Sequence, residues 1–154
     1  MLHVVPPTRP AIATYRLQLT PTFGFDAATD LLPDLRRLGV SHVYLSPIAE
    51  AVPGSTHGYD VVDHTRVREE LGGDEGLDRL LDGAHDARLG VLVDHVHNHV
   101  SVAFAQLNRP WWSMLRAGPD SEAARWFDVD WDAHDGRVLI PKLGAPLADV
   151  IVAG

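Results

Sequence analysis

The chain has 154 residues, a formal net charge of -8 at pH 7 and no cysteine, and its apolar and charged fractions of 45% and 22% are ordinary for a globular domain. The acidic excess excludes the basic footprint of a nucleic-acid-binding protein, and the missing cysteines exclude disulfides and thiolate chemistry. Since no apolar run approaches a membrane span of about 20 residues and the amino terminus lacks a signal-peptide pattern, we predict a cytoplasmic protein without membrane or nucleic-acid partners.

The first part of the chain predicts a lead-in, a strand and a helix. Residues 1–10 contain three prolines and are predicted to be a disordered lead-in. Ile12–Leu19 is rich in β-formers and predicts a strand. A helix is then expected from a cap at Asp26 to a stop at Gly39. Pro33 either kinks this helix or marks its true first turn.

Two further strands and a second helix follow. Val40–Ser46 predicts a buried strand, and residues 47–73 predict a long functional loop because Gly, Pro, Ser and His are frequent there. A short Val61–Val62 strand interrupts the loop. Asp74 is expected to cap the second helix, and Gly90 opens the third strand. The residues expected to face inward from the second helix are Leu77, Leu80, Leu81 and Ala84.

The order β-α-β-α-β, with short helix-to-strand joints, predicts parallel strands and right-handed crossovers. The long connections all follow strands, as they do at the carboxyl rim of a barrel. A closed (β/α)8 barrel needs eight strands and about 250 residues, so this chain holds only part of one. The predicted fold class is α/β. It comprises the first three β/α units of a (β/α)8 TIM-type barrel (residues 11–102) and the start of an insertion after strand three (residues 103–154).

The segment from Gly90 to His99 is the strongest candidate for a functional site. Its run of Val and Leu predicts a buried parallel strand, and Asp94 stands at the carboxyl end. Asn98 and His99 follow closely. Because side chains alternate along a strand, Asp94 and His99 share a site only if the strand ends and turns between them. The pattern therefore predicts a carboxylate, an amide and an imidazole at one rim.

The histidines of this segment also suggest a metal site. His95, His97 and His99 alternate as metal ligands do on some barrel strands. Possible partners elsewhere in the chain are His57, His64, His85 and His134. No acid or histidine cluster with a recognised zinc spacing accompanies them, and simple rim or core histidines are the plainer interpretation.

A sugar site is the other possibility. Glycosyl chemistry uses paired carboxylates, and Asp60 or Asp63 could lie near Asp94. Alternatively, Asp94 accepts hydrogen bonds from rim amides or an arginine. Tyr59 lies in a glycine-flanked loop at the rim, where its ring could stack on a sugar. The tryptophans, which either stack on sugars or form a local core, are Trp111, Trp112, Trp126 and Trp131.

The loop sequence closely resembles one family. Its motif is Pro53–Asp63, Pro-Gly-Ser-Thr-His-Gly-Tyr-Asp-Val-Val-Asp, followed by Thr65–Val67 and Glu70–Gly73. Three further segments agree, namely Thr14–Leu19, Asn108–Leu115 and Ala124–Trp131. On these residues the chain resembles maltooligosyltrehalose synthases, intramolecular transglucosidases of the α-amylase superfamily. The resemblance spans residues 11–154.

The resemblance implies functions for individual residues. Asp94 and His99 would hydrogen-bond the glucosyl unit at the cleavage point, Tyr59 would stack on it, and Asn98 would brace the rim loop. His57 and Gln18 complete the implied substrate-binding set. His95 and His97 stand where the family usually has an aliphatic residue and a proline.

The implied reaction turns the reducing-end α-1,4 link of a maltooligosaccharide into an α,α-1,1 link, with retention through a covalent glucosyl intermediate. The family's nucleophile aspartate, acid/base glutamate and third aspartate follow strands four, five and seven, so no catalytic residue is expected in this chain and the chain alone is expected to be inactive. The expected partner is a maltooligosaccharide or other α-1,4-glucan, with no metal and no cofactor. The alternatives are a non-catalytic glucan-binding remnant and a metal-dependent barrel hydrolase that uses His95, His97 and His99.

Overall fold

A computed structural model describes residues 10–133, 135–140 and 145–153. The chain forms two compact units, one ending at Arg109 and the other beginning at Pro110. The predicted lead-in falls almost entirely on residues 1–9, and His134 is also outside the described residues. Within the described ranges, no helix is long and apolar enough to span a membrane.

The first unit contains both strands and helices. The strands are β1 (Thr14–Leu17), β2 (His42–Leu45), β3 (Ala49–Ala51), β4 (Val61–Val67) and β5 (Gly90–Val93). The helices are α1 (Phe25–Asp30), α2 (Leu32–Leu38) and α3 (Gly73–Asp86), with a 3-10 helix at Glu69–Leu71. From Arg109 onward the helices are α4 (Arg109–Ala117) and α5 (Leu147–Ala153), with 3-10 helices at Gly118–Asp120 and Glu122–Trp126.

The main sheet has three parallel strands in the order β1-β2-β5. Its parallel pairing confirms the prediction made from the order of elements. Strands β1 and β2 are the central parts of the predicted segments Ile12–Leu19 and Val40–Ser46, and β5 begins at Gly90 as predicted. Leu17, Leu45 and Val93 are register partners at the carboxyl ends. The functional candidates therefore follow strands that end side by side.

The first predicted helix is divided in two. Helix α1 ends at Asp30, and Pro33 lies in the first turn of α2, which settles its position. The expected cap at Asp26 is wrong, because Gly24 is the N-cap and Asp26 lies in the first turn. The Asp26 carboxylate instead accepts two hydrogen bonds from Arg79, at 3.0 and 3.1 Å.

Helix α3 also begins differently from the prediction. Gly72, in a left-handed conformation, is its N-cap, and Asp74 lies in the first turn. Leu80 and Ala84 are buried as expected, whereas Leu81 is 42% exposed, so its predicted inward orientation is wrong. Each residue advances the helix by about 100°, so the neighbour of a fully buried Leu80 turns towards solvent.

A single apolar core lies between the helices and one face of the parallel sheet. Strand alternation directs Leu17, Val43 and Leu45 into it, so the opposite face of the same strands is left for other side chains. The remaining buried members are Leu19, Phe25, Ala28, Leu32, Leu35, Val40, Leu71, Leu80, Ala84 and Leu89.

Residues 47–73 are more regular than predicted. Strands β3 and β4 pair antiparallel with two register shifts, so the expected short Val61–Val62 strand is the start of a seven-residue strand. The outer half of β4 is polar and half-buried or exposed. It has no apolar pattern and is a strand because its backbone pairs with β3. The hairpin presents a tight loop, residues 52–60, between its strands.

The second unit contains the tryptophan-rich part of the chain. Helix α4 begins at Arg109 and carries Trp111 and Trp112. Trp111 is buried and packs edge-on against Phe127, with ring centroids 5.2 Å apart. Trp126 is 67% exposed. Trp111 therefore belongs to a local aromatic cluster, which was one of the two predicted interpretations.

Candidate functional site

Polar side chains gather at the carboxyl ends of the parallel strands. Arg16 of β1 and Tyr44 of β2 are register partners on the sheet face opposite the core, and the Arg16 guanidinium carbon lies 4.7 Å above the Tyr44 ring centroid. Asp94 directly follows β5, and its backbone N–H donates to the carbonyl of Leu45 at 2.9 Å. This hydrogen bond to the end of β2 thus fixes the position of the Asp94 backbone.

Arg16, Tyr59 and Asp94 form a closed triangle of hydrogen bonds. The Tyr59 hydroxyl donates to Asp94 Oδ2 at 2.5 Å and accepts from Arg16 Nη2 at 3.0 Å. Arg16 Nη1 donates to the same Asp94 oxygen at 3.2 Å. The predicted alternative in which an arginine binds Asp94 is confirmed, and this arginine comes from β1.

The triangle holds each group in one protonation state. The hydrogen bond from Tyr59 lowers the pKa of Asp94 below its ordinary value, with smaller contributions from Tyr44 and Arg16 and with burial opposing the change. The same bond to Asp94 is the largest cause of the raised pKa of Tyr59. For Arg16, burial opposes the change, but Tyr59 and Asp94 together raise the pKa. At neutral pH the cluster is therefore a carboxylate, a neutral phenol and a guanidinium cation.

His99 reaches the same tyrosine from the other side. Its Nε2 donates to the backbone carbonyl oxygen of Tyr59 at 3.0 Å. Strand β5 ends at Val93, so the chain turns before His99, as a shared site requires. Asp94 and His99 thus meet at Tyr59, one at its hydroxyl and one at its backbone. Asn98 is exposed in the bend between them, and its predicted bracing function stays a prediction.

The loop that carries Tyr59 is braced internally. Ser55 Oγ donates to Asp60 Oδ1 at 2.6 Å and accepts from the Gly58 N–H at 3.0 Å. Gly58 has φ of +74°, and a Cβ there would lie 2.8 Å from the Pro47 carbonyl oxygen. Only glycine meets both conditions without strain. The turn therefore has a defined backbone conformation, which positions Tyr59.

Gln18 and His57 support this loop. Gln18 Nε2 lies 3.2 Å from the Thr56 carbonyl oxygen and 3.4 Å from that of His57. His57 Nδ1 accepts from the Tyr59 N–H at 3.1 Å, and the two rings are stacked with centroids 6.1 Å apart. The structure places both predicted residues next to Tyr59, while their contact with substrate stays a prediction.

The two carboxylates predicted as possible partners of Asp94 form hydrogen bonds with neighbouring hydroxyls, and their pairing with Asp94 across a sugar stays a prediction. Asp60 is bound by Ser55, and Asp63 accepts from the hydroxyl and the N–H of Thr65 at 2.6 and 2.8 Å. These Thr65 bonds lower the pKa of Asp63 despite its partial burial. In the triangle, the Asp94 carboxylate is hydrogen-bonded to the Arg16 cation and to the Tyr59 phenol.

His64, His95 and His97 form a row of rings. His95 lies between His64 and His97, with ring centroids 5.6 and 6.0 Å apart. Burial, followed by the neighbouring His95, lowers the pKa of His64. In the described part of the chain, no three His, Asp or Glu side chains are arranged to hold a metal ion. The metal hypothesis on His95, His97 and His99 therefore has no geometric support.

Arg16 and Tyr44 were missing from the predicted site. Arg16 alternates with Leu17 and has the same parity as Gln18, which was assigned to the site. A charged residue on the face opposite the core of a parallel strand was the available signal. Tyr44 follows by the same alternation from the buried Val43 and Leu45.

Comparisons with known proteins agree with this geometry. Residues 25–143, more than half of the chain, match the family described as alpha amylase, catalytic domain. The chain belongs to the alpha-amylase family and contains part of its catalytic domain.

Within that family the chain is similar to trehalose-forming enzymes. It is 48% identical over 141 residues to a Mycobacterium tuberculosis protein that bears the name maltooligosyl trehalose synthase, a match that covers 88% of this chain and 18% of that protein. It is also 48% identical to the solved maltooligosyltrehalose synthase of Arthrobacter ramosus, with a TM-score of 0.84. This structural match covers 89% of this chain and 18% of that one. The resemblance predicted from the motifs is confirmed.

A debranching enzyme from Nostoc punctiforme is more distant. It shares 30% identity and a TM-score of 0.64, and the match covers 79% of this chain and 23% of that one. The chain thus spans about a fifth of the length of the relatives it matches.

Proposed function

We propose that this chain supplies one wall of a glucan-binding site in an enzyme that converts the reducing-end α-1,4 link of a maltooligosaccharide into an α,α-1,1 link. The observation that carries the proposal is the Arg16–Tyr59–Asp94 triangle at the carboxyl ends of parallel strands. Its support is the similarity to maltooligosyltrehalose synthases across 88% of the chain.

Asp94 is suited to bind a sugar hydroxyl and unsuited to donate a proton. Its Oδ2 already receives Tyr59 and Arg16, and its lowered pKa keeps it ionised at neutral pH. A general acid needs a raised pKa, so Asp94 acts as a hydrogen-bond acceptor. The carboxylate orients the glucosyl unit, and His99 fixes the backbone of the loop beside it.

Tyr59 provides the apolar surface of the site. The residue is 37% exposed although its hydroxyl and its backbone carbonyl are both engaged. A partly exposed aromatic ring held at its hydroxyl end can stack on a pyranose. Recognition then combines ring stacking with one charge-assisted hydrogen bond.

We further propose that strands β1, β2 and β5 are the first three strands of a (β/α)8 barrel, with an insertion after the third. Retaining glycosyl transfer needs a nucleophile and an acid/base carboxylate about 5 Å apart, and the triangle holds one carboxylate beside a cation. In this proposal the reacting carboxylates belong to later strands, and the chain by itself binds glucan without transferring it. The substrate is a maltooligosaccharide, and the proposed location is the cytoplasm.

Binding tests the proposal directly. Maltohexaose would be titrated by calorimetry into the unaltered protein, the Asp94→Asn variant and the His97→Asn variant. A hydrogen bond to a charged group contributes about 1.5–3 kcal/mol, so we expect Asp94→Asn to weaken binding by about 10- to 150-fold. His97→Asn, which lies outside the triangle, should leave affinity unchanged. Equal weakening by both variants would contradict the assignment.

Turnover separates catalysis from binding. The 154-residue chain is expected to bind maltohexaose but leave its reducing ends unconsumed, as measured by anomeric proton NMR. This outcome also fits a second candidate function, a non-catalytic glucan-binding module, which the single carboxylate of the triangle favours for the chain by itself. Formation of the 1,1-linked product would show that the chain contains its own reacting groups.

A further inference from the structure

An ion pair between the buried Arg68 and the partly exposed Glu70 contacts the Tyr59 loop and was not among the site residues described above. The Arg68 side chain is 1% exposed, and its Nε donates to Glu70 Oε2 at 3.1 Å while Nη2 contacts the same oxygen. Glu70 in turn accepts the backbone N–H of Gly54, at 2.9 Å to Oε1 and 3.1 Å to Oε2. One carboxylate therefore joins a buried cation to the backbone of the loop.

The backbone places Arg68 at the base of the β3–β4 hairpin. Its N–H donates to the Ile48 carbonyl at 2.9 Å, and its own carbonyl accepts from Leu71 at 3.1 Å and Gly73 at 3.2 Å. These bonds turn the chain into the 3-10 helix that carries Glu70. Arg68 is thus tied to the hairpin base, and Glu70 reaches from there to the loop.

Hydrogen bonds continue from Gly54 towards Tyr59. The Ser55 N–H donates to the Val52 carbonyl at 3.0 Å, and the Ser55 hydroxyl binds both Asp60 and the Gly58 N–H. Val52 closes the loop by donating to the Asp60 carbonyl at 3.1 Å. The Glu70 carboxylate therefore binds one end of a short, hydrogen-bonded turn, and the other end of this turn carries Tyr59.

We propose that Arg68 and Glu70 are positioning residues that hold the loop so that the Tyr59 hydroxyl reaches Asp94. The relevance of this device to sugar binding rests on the proposed function, but the device itself is a property of the ligand-free protein.

The burial of Arg68 favours positioning over simple stabilisation. Taking a guanidinium out of water is costly, and well-packed apolar residues often stabilise a fold as much as a buried ion pair does. Arg68 Nη1 has no hydrogen-bond partner among the described residues, which adds to that cost. Arg68 also lowers the pKa of Glu70, with Gly54 as the second cause, so the carboxylate stays an acceptor at neutral pH.

Two double variants isolate the acceptor at position 70. Arg68→Met/Glu70→Gln and Arg68→Met/Glu70→Met both remove the charge pair, so neither leaves a buried charge alone, but only the glutamine can accept the Gly54 N–H. The Tyr59 pKa would be measured by NMR of 13C-labelled tyrosine, with Tyr59→Phe for assignment. We expect it to fall towards about 10 in the methionine variant and to stay raised in the glutamine variant.

A surface control separates this effect from general destabilisation. Glu69 is adjacent, and its side chain is 70% exposed and pairs with Arg66 at 3.3 Å. Glu69→Met should leave the Tyr59 pKa unchanged. A folded Arg68→Met/Glu70→Met protein that keeps the raised Tyr59 pKa would overturn the proposal. Because this titration contains no sugar, a failure to bind maltohexaose would count against the proposed function alone.

The unaltered protein offers a second measurement that does not depend on folding of the variants. If the pair holds the loop as one unit, the amides of Gly54 and Gly58 are expected to show the same protection from hydrogen exchange. A protected Gly58 beside a freely exchanging Gly54 would overturn the proposal.

Discussion

Two neighbouring segments reach the site, and they are built differently. The Tyr59 loop, residues 52–60, has hydrogen bonds within itself and further bonds from Gln18 and Glu70. The segment that follows β5, residues 95–100, is mostly exposed, and its bond to the site is the one from His99 to the Tyr59 backbone. The loop therefore fixes the geometry of the site, and the segment after β5 is attached to the loop through His99.

This contrast predicts where sequence changes are tolerated. The resemblance implies that His95 and His97 stand where the family usually has an aliphatic residue and a proline, and both lie exposed in the weakly braced segment. The Pro-Gly-Ser-Thr-His-Gly-Tyr-Asp motif occupies the braced loop, where Gly58 and Ser55 each meet a specific contact. Many residues of this motif therefore serve to form one turn, although the sequence suggested a substrate-binding motif.

The largest effect is expected from breaking the braced loop at Gly58. Gly58→Ala combines positive φ with a Cβ 2.8 Å from the Pro47 carbonyl oxygen, whereas Gly54→Ala has a similar φ of +77° and open space. The left-handed conformation alone costs about 1–2 kcal/mol, and overpacking adds about 1–3 kcal/mol. Urea unfolding should therefore show a larger loss for Gly58→Ala than for Gly54→Ala. Equal losses would mean that the contact with Pro47 relaxes freely.

The second effect concerns the pH range of the triangle. The lowered pKa of Asp94 contributes stability above the unfolded value of about 4, and this stability is lost as pH falls further. The raised pKa of Tyr59 contributes stability below about pH 10, and this stability is lost as pH rises through the folded pKa. Stability should therefore be highest between these limits.

Tyr59→Phe sharpens this comparison. It should remove the Tyr59 alkaline limb, make the acid limb shallower, and cost about 1 kcal/mol at neutral pH after allowance for exposure. Thermal unfolding across pH would measure all three, with Tyr15→Phe, on an exposed residue of β1, as the matched control. An unchanged alkaline limb in Tyr59→Phe would show that the Tyr59 pKa is not raised.

The smallest effect is expected in the weakly braced segment. His95→Val should change stability at neutral pH by less than about 0.5 kcal/mol because the residue is exposed. Burial and His95 lower the pKa of His64, so acidification through about pH 6.5 costs stability, and this cost should shrink in the variant. Proton NMR of the His64 ring would show its pKa rise. No change in the His64 pKa would show that His95 does not contribute to lowering it.

Much of the fold could be predicted because apolar runs are local signals. Val40–Ser46 and the strand from Gly90 are short apolar segments between glycine, proline or aspartate, and both form strands of the parallel sheet. The β3–β4 hairpin could not be predicted, because the outer half of β4 is polar and is a strand only through its partner. Helix starts failed for a related reason, since Gly24 and Gly72 are the caps, without a side-chain cap bond.

The site was predicted in outline and missed in its electrostatics. Asp94, His99 and Tyr59 follow from the motif, and the structure brings them together. Arg16 was missed because its interaction with Asp94 bridges 78 positions of sequence. Nothing local distinguishes this arginine from any other on a strand. Glu70 was missed as a brace because its partner is a backbone N–H, which every residue but proline carries.

The hydroxyl of Tyr59 gives its single proton to Asp94. The phenol therefore has no proton left to offer a ligand, and what it presents is a flat aromatic surface. Such a surface packs against the C–H face of a sugar ring and donates no hydrogen bond to an individual hydroxyl. Under the proposed function, hydrogen bonds to individual hydroxyls must then come from the polar groups around the tyrosine, so that the face of the ring and its hydroxyls are recognised by different side chains.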